Sequence, residues 1–196
     1  MAGLFNKNTQ VQQRSQKEIL TSRYFSARHN ILLLVIFTLV NVFLLVTNAD
    51  SYYLFSAFIP YLLIDLGRLL CGMYPAEFYA QNFPGMEFLN ISFFVICIII
   101  AAVILLLYLV SWLLSKKPRV GWMIFALVFI AIDTIAMLLW IGDFLESIMD
   151  ILFHLWAVLS LTRGVISYYK AKKLPDEPEP EITLEENPEP VEEVVE

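Results

Sequence analysis

In IGDFLESIMDILFHLW, residues 141–156, Glu146, Asp150 and His154 recur at every fourth position of a largely apolar run. On a helix each step of four overshoots one turn by about 40°, so the three side chains share one stripe. Asp133 stands nine residues before Gly142 and Asp150 eight after it. If a helical hairpin turns there, the two carboxylates fall at one depth, roughly 12 Å below the turn, with His154 about 6 Å deeper. Such a layer has acid–base chemistry available to it. Crowded carboxylates share a proton or a cation, and a neighbouring carboxylate draws a proton onto imidazole. Asp133, Asp150, His154 and Glu146 are therefore the candidate proton- or cation-binding residues. The competing reading is structural: one Asp–His hydrogen bond between neighbouring helices satisfies both groups and fixes their register.

Other chemistry is sparse. Asp65 and Arg68, three residues apart inside an apolar run, are placed to form a structural ion pair on one helix face. Cys71 and Cys97 lack metal-site spacing and read as reduced packing residues. Asn90-Ile91-Ser92 matches a glycosylation acceptor but abuts an apolar run, and reads as a chance match. Nucleophile elbow, HExxH, phosphate loop and dinucleotide fingerprint are all missing from the sequence, so it calls for no cofactor and no resident metal, and leans away from an enzyme. The remotest reading is an intramembrane metal-dependent hydrolase using Asp133, Asp150 and His154, for which an activating base is not evident.

The elements that position these groups need lipid around them. The chain is 59% hydrophobic and 16% charged, far from the roughly 45–50% and 25% of soluble domains. Long apolar runs at 30–47, 91–115, 120–141 and 145–168, the last of them carrying Glu146, Asp150, His154 and Arg163, are each long enough to cross a bilayer core. Residues 52–73 form a fifth run, interrupted by Pro60, Asp65 and Arg68. Basic residues favour the cytoplasmic side of short loops. With four crossings and 52–73 entering and leaving on one side, every basic cluster falls on one face and the acidic 143–146 turn on the other. The expected fold is thus all-α, a small polytopic bundle of four transmembrane helices plus a re-entrant or interfacial segment. Five full crossings are the alternative.

Three regions follow. Residues 1–29 form a cytoplasmic N-terminal segment, in which Ser15 and Glu18 fit a capping box opening an interfacial helix with Arg14, Lys17, Arg23 and Arg28 beside it. Residues 30–170 form the bundle. Residues 171–196 are expected to be a disordered acidic tail: ten of the nineteen acids lie beyond Pro175, and removing them from the net charge of −6 leaves a body of +4. That body is basic beside apolar spans, so the expected partner is the lipid bilayer rather than nucleic acid. The protein is expected to be multi-pass with both termini cytoplasmic. Its function reads first as an accessory, scaffold or interaction subunit, working as a homo-oligomer or with a larger membrane partner. The alternative is a proton- or cation-linked small transporter or channel built on the polar layer.

Overall fold

The computed structural model describes residues 15–47, 49, 55–116, 119–142 and 147–175. All regular structure among them is helical: α1 (Gln16–Val46), α2 (Phe58–Leu70), α3 (Ala76–Asn82), α4 (Ile91–Leu114), α5 (Val120–Trp140) and α6 (Ile148–Lys173). Four of these, α1, α4, α5 and α6, are long and apolar enough to cross a membrane. Glu146 and the acidic tail lie outside the described residues.

The capping box opens α1 as its residue types dictate: Glu18 N donates to Ser15 Oγ at 3.2 Å and Ser15 N to Glu18 Oε2 at 3.2 Å. The helix then continues unbroken for 31 residues, so the N-terminal turns and the first apolar run are one element. Arg28, placed among the headgroup-facing basic residues by sequence, is turned inward and is 4% exposed. Its Nε donates to Trp112 O at 2.9 Å and Tyr24 OH donates to Ser115 O at 2.9 Å. These are the orphan carbonyls at the end of α4, a helix whose own last turn holds no basic residue. Asn90, the glycosylation-pattern residue, is the N-cap of α4 and accepts from Ser92 N at 2.9 Å.

The bundle exposes an apolar exterior and buries polar side chains among an apolar core. Leu106, Ile99, Val103 and Ile132 face outward while Thr38, Asn41, Ser111 and Asp133 are buried. Apolar side chains gain nothing by hiding from lipid, so helices associate by close packing and interior hydrogen bonds instead. Ala27 and Gly164 make the closest approach: a Cβ on Gly164 would sit 2.5 Å from that of Ala27. α1 packs along α6, α6 along α5 and α2 along α4.

α2 does not cross. Its 13 residues span about 20 Å, short of a bilayer core of about 30 Å. Its start meets the middle of α1, where Ala57 N donates to Thr38 Oγ1 at 2.8 Å. Its end meets the end of α1, where Arg68 Nη1 donates to Leu45 O. α1 and α2 therefore run in the same direction. Among the described residues four helices, and not five, are of spanning length. At the same end Leu89 N donates to Leu70 O at 2.8 Å, joining the top of α2 to the start of α4.

Two ends follow from the hydrogen bonds. The basic end gathers the start of α1, the α4–α5 connection and the end of α6, with Lys17, Arg23, Arg28, Lys116, Arg119, Lys170, Lys172 and Lys173. The opposite end carries Asp65, Glu77 and Glu87 together with Arg68.

Candidate functional site

The buried start of α2 organises the polar interior. A helix leaves its first N–H groups without intrahelical acceptors, and in an apolar interior each must find one. Ala57 takes the N-cap position with no side chain able to serve. Two other helices supply the acceptors. Besides Thr38 from α1, Asp133 from α5 accepts from Phe58 N through Oδ2 and from Ile59 N through Oδ1, both at 2.8 Å. Pro60, the next residue, has no N–H to satisfy, and its fixed φ suits a first helical turn. The proline that interrupts the apolar run in sequence is thus the residue that lets a helix begin in the interior. Beside it Asn41 Nδ2 donates to Ser56 Oγ at 2.9 Å.

Asp133 is 1% exposed and His154 3%. His154 Nε2 lies 3.3 Å from Asp133 Oδ2, and Nδ1 lies 2.9 Å from the backbone oxygen of Asp150. A carbonyl only accepts, so Nδ1 carries a hydrogen. A hydrogen bond between Nε2 and Oδ2 then requires one further proton on the pair.

The arrangement brings together only part of the expected layer. Asp133 and Asp150 are level by residue count, yet Asp133 meets His154, and Asp150 contributes its main-chain oxygen. The cause is the lean of helical side chains toward their own N-terminus. α5 and α6 are antiparallel, so Asp133 leans toward the basic end while Asp150 and His154 lean the other way. His154, about one turn deeper, is carried up to Asp133; Asp150 is carried away from it. The Asp150 carboxylate is half-buried and, among the described residues, its Oδ1 has no hydrogen-bond partner. Glu146, the outermost member of the stripe, lies outside the described residues. No group of three His, Cys, Asp or Glu is placed to hold a metal ion among the described residues.

Asp65 and Arg68 sit at the top of α2 and meet a third residue, Tyr74. Tyr74 OH donates to Asp65 Oδ1, and the Arg68 guanidinium lies 4.6 Å from the centroid of the Tyr74 ring. Tyr79 OH donates to Leu69 O at 2.9 Å, closing the C-terminus of α2 from α3. Burial, then the hydrogen bond and charge of Asp65, push the Tyr74 hydroxyl well above the usual tyrosine range.

Thr38, Ser56, Tyr74 and the amides of residues 57–59 escaped the sequence reading. Backbone donors carry no residue signature. A proline at the third position of the helix, with alanine and no capping side chain at position 57, was the available sign. No known family model, curated protein or solved structure matches this chain.

Proposed function

We propose that this is an integral membrane protein of the accessory or scaffold type, packing with a second copy or a larger membrane partner. In this reading the Asp133–His154 layer is the latch that seats α2. The observation that carries it is the full engagement of Asp133, whose two oxygens accept from the first two amides of α2 while Oδ2 also faces His154. Drawing that carboxylate onto a passing ion strands a buried amide, at about 1–3 kcal/mol per group. The basic end is cytoplasmic by the positive-inside rule, with both termini there, and the acidic tail contacts a basic partner.

Flux from reconstituted proteoliposomes tests this. Protons, sodium and potassium should leak no faster than from empty vesicles. A pH-dependent flux that Asp133→Asn abolishes, in protein of unchanged melting temperature, contradicts the latch.

A second reading, proton- or cation-linked transport, draws on the contact between Asp133 and His154 and on Oδ1 of Asp150, which has no hydrogen-bond partner among the described residues. It predicts a flux that Asp150→Asn removes from a protein that still folds.

A further inference from the structure

A groove of about 560 Å³ runs beside the α1–α6 seam at the basic end, a size typical of small-ligand sites. Both helices supply cations to it, Arg23 from α1 and Arg163 and Lys170 from α6, and none of its lining residues is acidic. Spacings of three and four put Ser160, Arg163, Ser167 and Lys170 on one face of α6. Ser26 faces them from α1. The close approach of Gly164 to Ala27 fixes the distance between the two faces. Among the described residues, none of the three cations makes an ion pair or a side-chain hydrogen bond.

The hydroxyls are the second observation. A serine or threonine inside an apolar helix returns its proton to the carbonyl four residues back. Thr38, Ser111, Thr134 and Thr162 all do so. Ser167 does not. It is 5% exposed, lines the groove and has no hydrogen-bond partner among the described residues. Ser160 accepts from Asn30 Nδ2 at 2.7 Å, which leaves its own proton available to the groove.

We propose that this groove binds a phosphate group, carried by the headgroup of an anionic lipid or free in solution. Two guanidinium forks and an ammonium match phosphate oxygens, and the serine hydroxyls donate to the same atoms. The position suits a headgroup, because basic pockets between membrane helices on the positively charged side hold anionic lipids. Trp156, exposed at the apolar end of the groove, gives a wall for the glycerol and upper acyl chain.

The test is native mass spectrometry and thermal unfolding of the full-length protein in detergent, titrated with inorganic phosphate, phosphatidic acid and phosphatidylcholine. Phosphatidic acid should bind about tenfold or more tightly than phosphatidylcholine, and the triple variant Arg23→Gln, Arg163→Gln, Lys170→Gln should lose that margin. Arg119→Gln, Lys172→Gln, Lys173→Gln removes the same charge outside the groove and should stay within about twofold of the native chain. Ser167→Leu, which fills the groove without touching charge, should weaken binding as the triple variant does. Protection by inorganic phosphate alone identifies a free phosphate as ligand, and protection by the lipid only identifies a headgroup. Equal losses in the two triple variants, equal binding of phosphatidylcholine, or no binding of either phosphate probe overturns the proposal.

Discussion

At Asp133 one carboxylate serves two amides and an imidazole, so substitutions there should be read first as stability. Asp133→Ala leaves two buried N–H groups and a buried imidazole without their acceptor. The expected loss is about 3–5 kcal/mol, the range for breaking one side of a buried charged contact. Asp133→Asn keeps one oxygen and should lose less, about 1–3 kcal/mol, because its amide group faces a donor. Chemical unfolding in detergent measures both. Tyr74 gives a separate readout at the other side of α2. Its pKa is raised in the folded state, so the folded chain keeps a proton that the unfolded chain gives up. That contribution is complete below about pH 10 and is lost as pH climbs past it. The melting-temperature gap between the native protein and Tyr74→Phe should therefore narrow from about pH 9 to about pH 11.

At the scale of elements, what could be read from residues differed sharply between periodic and directional features. Length and apolarity place four spanning-length helices, because lipid imposes one simple requirement on each. The Ser15–Glu18 box is local, and the charge pattern across the connections sets 52–73 apart as a segment entering and leaving on one side, with five crossings as the alternative. Pairing inside the last hairpin was harder. Counting residues from Gly142 finds the depth of each Cα, and the lean of the side chains then decides that Asp133 meets His154 rather than Asp150. The acceptors of α2 were harder still, since Thr38 lies 19 residues from Ala57 and Asp133 lies 75 from Phe58. Pro60→Ala tests the capped start of α2. It adds an N–H where Thr38 and Asp133 are already engaged, and should cost about 1–3 kcal/mol although alanine is the better helix former. Gly164→Val tests the seam. Its Cβ meets Ala27 Cβ and Met123 Cε, both 2.5 Å away, and only the methionine can swing aside. Overpacking of this kind costs about 1–3 kcal/mol, read as a lower melting temperature.

For the whole molecule, the account joins two capped helix ends into one frame. Arg28 and Tyr24 close the end of α4 near the basic face, while Asp133 and Thr38 close the start of α2 deep inside. A body tied at both levels suits a packing partner better than a gate, because a gate needs elements that part at low cost. Labelling with an impermeant maleimide, in protein whose Cys71 and Cys97 are replaced by serine, examines this directly. Gly121 and Gly142 have open space around them, and cysteines there should react from opposite sides of the membrane. Ala57, 0% exposed, sits where the caps from α1 and α5 meet. A cysteine at Ala57 should stay unlabelled from either side between about pH 5 and about pH 8, the range over which an accessible histidine changes charge. Labelling of that cysteine from one side, or its appearance as pH falls, would contradict the latch and open the interior to water.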